Sequence, residues 1–225
     1  MKKQILKSAL IAMAGVGLLA GSAMALQMTI TDGTIANTVT VYDGLAGDTL
    51  PGYVEYSSLN SVLFSEWQIV SAEGSSDPIL DNGYLNLNSL DITGTSLSTG
   101  KTLTITLTDD YKGNFSGFTT EWSPSLNQGF SVDFYVTITD GANIWHSDWD
   151  NILTTGDFIN TISTLSTSTD WTITQQLILT KSDDGVARFS LDATTSPVPE
   201  PGTMLLLGTG LAGLAAVGRR RKTQA

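Results

Sequence analysis

Between Leu26 and Thr195 apolar and polar residues alternate in short runs. The clearest is Thr102-Leu-Thr-Ile-Thr-Leu-Thr108, where Leu103, Ile105 and Leu107 fall on one face and threonines on the other. A period of two is that of a half-buried β-strand. The same pattern recurs at Thr38–Tyr42, Trp67–Ser71, Tyr84–Asn88, Phe130–Thr139, Trp171–Thr174, Gln176–Thr180 and Val186–Leu191. Turn dipeptides separate the runs: Asp32-Gly33, Asp43-Gly44, Asn82-Gly83, Asp140-Gly141 and Asp184-Gly185. The phrase Ile-Thr-Asp-Gly closes two runs, at Ile30–Gly33 and Ile138–Gly141, and reads as repeated strand-end chemistry. Helical periodicity is scarce, its best candidate being Asp148–Asn160. About eight to ten short strands predict an all-β domain, an antiparallel β-sandwich. A jelly roll is one winding that fits; the pattern does not set strand order.

The two ends of the chain read differently. Lys2, Lys3 and Lys7 precede an apolar run, Ala9–Ala20, and then Gly-Ser-Ala-Met-Ala25. Ala23 and Ala25 make an A-x-A site for signal peptidase, so residues 1–25 are expected to be a signal peptide cleaved after Ala25. The apolar core is short for a span of about 20 residues, which favours cleavage over an uncleaved anchor. At the other end Thr203–Gly218 is 16 residues without a charge, followed by Arg219, Arg220, Arg221 and Lys222. As a helix it reaches ~24 Å, somewhat short of a ~30 Å hydrocarbon core. The basic cluster would hold its end in the cytoplasm. Ahead of it Ser196-Pro-Val-Pro-Glu-Pro-Gly202 is too proline-rich for helix or central strand and reads as an extended linker. The expected division is residues 26–196 as the domain and 197–225 as the tail.

Pro-Glu-Pro, an apolar span and an arginine cluster, in that order, resemble the PEP-CTERM sorting domain of exported proteins of Gram-negative bacteria. The matching residues are Val198, Pro199, Glu200, Pro201, the span 203–218 and Arg219–Lys222. The resemblance implies recognition by exosortase, a membrane-embedded protease-transpeptidase, with cleavage near the motif. Val198–Pro201 would then be recognition residues. It also implies loss of the span, then attachment or release at the cell surface, in bacteria that make exopolysaccharide and biofilm matrix.

Composition narrows the chemistry. The chain of 225 residues holds 22 acidic and 11 basic groups, one histidine and no cysteine. Only four basic residues lie between Leu26 and Pro201, against all 22 acidic ones, so that stretch carries −18. Such a body repels nucleic acid and anionic lipid. Without cysteine there is no disulfide, thiol nucleophile or Cys-ligated zinc. His146 is the one candidate general base, and no G-x-S-x-G elbow or phosphate-cradling loop accompanies it. Calcium is the one cofactor with a candidate ligand set: Asp140, Asp148, Asp150 and Asn151, with the doublets Asp109-Asp110 and Asp183-Asp184. Turn aspartates also have a purely local use, capping backbone N–H groups. Of the tryptophans, Trp145 and Trp149 flank the acidic loop and are the candidates for glycan contact; core packing is the competing use. The expectation is a non-catalytic cell-surface or matrix protein associated with exopolysaccharide. The alternative is a secreted carbohydrate-binding module or carbohydrate-active enzyme, and a glycosylated Ser/Thr-rich surface is compatible with the first.

Overall fold

The structure, a computed structural model, describes residues 26–44, 50–58, 64, 66–77, 80, 83–127, 129–163, 170–198 and 209–211. Among the described residues twelve strands form two six-stranded antiparallel sheets. They are β1 (Gln27–Thr31), β2 (Thr38–Tyr42), β3 (Tyr53–Tyr56), β4 (Trp67–Ser75), β5 (Leu85–Gly94) and β6 (Thr102–Lys112), then β7 (Gly117–Leu126), β8 (Phe130–Thr139), β9 (Ile144–Ile152), β10 (Phe158–Ser163), β11 (Asp170–Lys181) and β12 (Ala187–Pro197). The first sheet runs β2-β1-β6-β11-β8-β9 and the second β10-β7-β12-β5-β4-β3. Pairing from β5 onwards is nested: β5 with β12, β6 with β11, β7 with β10, β8 with β9. The eight strands thus form one long hairpin wrapped across both sheets. β1–β2 and β3–β4 then widen each sheet by two strands.

Alternation does what its period requires. Leu103, Ile105 and Leu107 on β6, Val132, Phe134, Val136 and Ile138 on β8, and Ile173, Leu177 and Leu179 on β11 are fully buried. They meet Phe118, Trp122, Phe189 and Leu191 from the second sheet in one core. Trp122 stacks on Phe134 across the gap at 4.9 Å, and Trp67 on Phe130 at 6.0 Å. Burying aromatic area of this kind is the dominant stabilising term. Gly74 lets the sheets approach, since a Cβ there would lie 2.4 Å from Leu107 Cδ1. A bulge at Ser89 (φ 49°) shifts the inward phase of β5 from Leu85 and Leu87 to Leu90 and Ile92. Asp192 on β12 holds that bulge by accepting the Ser89 N–H at 3.1 Å.

Three sequence expectations are revised. Asp148–Asn160 is not helical: β9 continues to Ile152 and β10 starts at Phe158. The runs Trp171–Thr174 and Gln176–Thr180 are one strand, β11. Ser196 and Pro197, expected in the extended linker, belong to β12, paired with Thr119 and Phe118. Pro197 is tolerated because it ends the strand.

Candidate functional site

β12 is a central strand, held by β5 on one side and β7 on the other. Its pairing ends at Pro197 opposite Phe118, and the Val198 N–H donates to the Gly117 carbonyl at 2.9 Å. Gly117 must be glycine, because a Cβ would lie 2.5 Å from the Ile162 carbonyl oxygen of β10. The chain therefore leaves the sandwich from a fixed point. Four residues separate Val198 from Thr203, five steps of chain with a reach of about 17 Å. An aromatic cluster lines this exit. Phe115 lies 5.1 Å from Phe118 and 6.0 Å from Trp171, and Trp171 donates from Nε1 to the Gly113 carbonyl at 2.9 Å.

Leu26 enters at the same end. Gln27 is opposite Thr108 on β6, four residues from Lys112, which pairs with Asp170 where β11 begins. Leu26 itself is buried. Ala23, Ala25, Pro199, Glu200, Pro201, Arg219, Arg220, Arg221 and Lys222 lie outside the described residues. Of the expected span 203–218 only 209–211 are described, and they are helical. Among the described residues no helix is long and apolar enough to cross a membrane.

Trp145 and Trp149 lie on the edge strand β9 and turn inward. Trp145 packs 5.7 Å from Trp171, and Trp149 lies 5.7 Å from Phe134 and 5.8 Å from Trp122. Both are half-buried against the core rather than presented as flat platforms. His146 and Asp148, in the opposite phase, are exposed, and His146 Nδ1 shares a 3.3 Å hydrogen bond with Thr137. Asp140 is spent locally: its Oδ1 accepts the Ala142 and Asn143 N–H groups at 3.0 and 2.6 Å. The side chains of Asp150 and Asn151 lie outside the described residues. Among the described residues no three His, Asp or Glu side chains gather in a metal-binding cluster.

The strongest electrostatic feature is Asp109. Sequence phase already places it inward with Leu103, Ile105 and Leu107, yet as half of a doublet it reads as a candidate calcium ligand. Burial pushes its carboxyl up to about 6, reinforced by Asp110 and Asp43, while a Ser76 hydrogen bond opposes the shift. Beside it the Tyr111 phenol is raised by burial and by Asp109, and its hydroxyl donates to the Tyr84 carbonyl at 2.6 Å. On the second sheet Glu55 and Glu73 stand directly opposite each other. Burial, then these two carboxylates, push Tyr53 up to about 12.

The two outer faces differ. The first sheet presents hydroxyl rows: Thr29 with Thr40 at 3.2 Å, Thr108 with Thr174 at 3.1 Å, Thr102 with Thr180 at 3.2 Å. The second presents Glu55, Glu73, Asp91, Glu121 and Asp192. It also carries a shallow depression of about 360 Å³ between Asp91, Asn127 and Arg188 that no sequence signal marked.

A proline-rich stretch leaving a folded body, then an uncharged run, then arginines, is the arrangement to compare with known proteins. Residues 197–222 form a PEP-CTERM protein-sorting motif. The PEP-CTERM motif implies an exported chain, anchored at the membrane before exosortase processing. No curated protein matches the chain. Among solved structures it is similar to TmCBM61 in complex with β-1,4-galactotriose (13% identity, TM-score 0.31, covering 62% of this chain and 86% of that one). It is also similar to the adhesin domain of Epf from Streptococcus pyogenes (11%, TM-score 0.41, 78% and 60%). A third is the N-terminal cellulose-binding domain of Cellulomonas fimi β-1,4-glucanase C (11%, TM-score 0.30, 66% and 90%). At such scores the likenesses carry no inference about a ligand.

Proposed function

We propose that the chain is a non-catalytic surface or matrix protein of a Gram-negative bacterium, exported by a cleaved signal peptide and cut by exosortase near Pro199–Pro201. The nested sandwich, which we read as a jelly-roll winding, is the cargo. The observation that carries this reading is the junction. The sorting motif begins on the last paired residue of a central strand, so the tail is built onto the domain without a spacer. Replacing Pro199-Glu200-Pro201 by alanines is expected to leave a full-length form in the inner membrane. Unchanged processing would contradict the proposal.

Association with exopolysaccharide is the second part of this reading. Support comes from the outer face of the first sheet, where threonine rows offer hydroxyl donors and acceptors, the chemistry that pairs with sugar hydroxyls. Trp145 and Trp149, packed inward, act as the edge of the core and not as the primary sugar platform. Exposure of purified protein to matrix polysaccharide, with a parallel assay for new reducing ends, tests both halves. Retention without new ends supports a binding, non-catalytic body; new reducing ends would establish the carbohydrate-active alternative.

A further inference from the structure

Four basic residues lie between Leu26 and Pro201, and three of them have carboxylate partners: Lys101 with Glu66, Lys112 with Asp170 at 3.7 Å and Lys181 with Asp183 at 2.8 Å. Arg188 has none among the described residues, although the body around it carries −18. It is exposed on β12 and borders the depression on the outer face of the second sheet. Its planar fork of five N–H donors is free to serve a ligand.

Strand register assembles the rest of the depression. Ser190 pairs with Asp91 on β5 and with Ser125 on β7. All three are exposed, so a carboxylate and two hydroxyls form one row across three strands. Directly opposed residues stand about 4.5–5.5 Å apart, which makes the row about 10 Å long. Arg188 lies two residues from Ser190, on the same face. Its backbone is clamped to Asn127. The Arg188 N–H donates to Asn127 Oδ1 at 2.7 Å, and the Asn127 N–H donates to the Arg188 carbonyl at 3.2 Å. The clamp occupies the amide oxygen of Asn127 and leaves its Nδ2 hydrogens to donate elsewhere. A depression of about 360 Å³ is thus bordered by guanidinium and amide donors, a carboxylate acceptor and two hydroxyls.

This mixture selects its ligand. Sugar hydroxyls donate and accept at once, so two neighbouring hydroxyls can accept from Arg188 or Asn127 and donate to Asp91. One positive and one negative group leave the depression itself neutral, whereas the acidic body repels a polyanion. Resting on the exopolysaccharide reading above, we propose that this depression is a subsite for an uncharged polysaccharide, with Arg188 and Asn127 as donors and Asp91 as acceptor. The threonine rows lie on the other sheet, so the subsite is separate from them.

The full chain, in detergent, tests this against matrix polysaccharide of the native cell, divided by anion exchange into a neutral and an acidic fraction. The neutral fraction is expected to retain the protein. Arg188→Ala and Asp91→Ala should each weaken retention about tenfold, the loss of a hydrogen bond to a charged group, with no change in melting temperature. Arg188 is the only arginine between Leu26 and Pro201, so phenylglyoxal gives a readout on the unaltered protein. The neutral fraction should slow modification of the peptide that holds Arg188 severalfold. Retention indifferent to both variants, Arg188 modification indifferent to the glycan, or retention by the acidic fraction alone would overturn the subsite and leave exopolysaccharide association standing. Failure of both fractions to retain the unaltered protein would overturn that association, and the subsite with it.

Discussion

The two ends of the sandwich handle buried charge in opposite ways. At the end away from the tail, the Lys181 side chain is 0% exposed, and its ammonium reaches the Asp183 carboxylate at 2.8 Å and the Asp183 carbonyl. The Lys181 hydrogen bond holds the Asp183 carboxyl below its ordinary range. Local glycines make room: a Cβ on Gly94 would lie 2.7 Å from Lys181 Cδ, and one on Gly129 would lie 2.6 Å from the Asp183 carboxylate oxygens. That end closes with groups of its own chain. At the tail end Asp109 is buried among other acids, while Leu26 and Val198 both pass through it. The comparison teaches that a buried charge can be matched locally, as Lys181 is by Asp183, or held among other acids, as Asp109 is.

The largest expected effect breaks the tail end outright. Trp171→Ala removes the ring that packs on Phe118, Phe115 and Trp145, and should cost about 3–5 kcal/mol in chemical denaturation. Next is the pH response of stability. Burial holds the folded Asp109 carboxyl at about 6, against an ordinary value of 3.8. The folded state therefore keeps a proton that the unfolded state releases. This contribution is full below about pH 4 and is lost as pH rises to about 6, by ~3 kcal/mol at most. Asp109→Asn should flatten that part of the stability–pH curve; an unchanged slope would show that other groups carry it.

A smaller effect probes the closed end. Gly94→Ala forces a methyl against Lys181, Phe130 and Ser98, and should cost about 1–3 kcal/mol by thermal melting. The smallest sharpens the role of the outer face. Thr106→Glu on β6 should change stability by no more than about 0.5 kcal/mol. It should nevertheless weaken retention on matrix polysaccharide if the hydroxyl rows make that contact.

Strands whose alternation is unbroken were legible in the chain: β8 occupies Phe130–Thr139, the boundaries its pattern implied. The Ile-Thr-Asp-Gly phrases act as read. Gly33 and Gly141 donate to Thr31 and Thr139 Oγ1 at 3.1 Å, and Asp32 and Asp140 accept the N–H two residues on. β11 was read as two pieces because Gln175 interrupts its apolar face. That amide is buried, its Nε2 donating to the Leu85 carbonyl at 3.1 Å and Thr195 Oγ1 at 2.9 Å. β9 was hidden by Trp145 and Trp149, whose i, i+4 spacing suits a helix as well as a strand. β7 was hidden by Gly117 and Pro124; Pro124 pairs with Leu191 beyond the reach of β10, where its missing N–H costs no ladder bond. The Asp109-Asp110 doublet misled for a related reason. On a strand, neighbours point to opposite faces, so two adjacent acids become one buried carboxyl and one more accessible carboxylate.

The central claim is that a β-sandwich is carried between two removable membrane addresses joined to one end. Intact-mass measurement of the protein recovered from the native cell surface tests it most directly. The account predicts a chain that starts at Leu26 and stops within or beside Pro199–Pro201. A single species retaining both Met1 and Ala225 would contradict it.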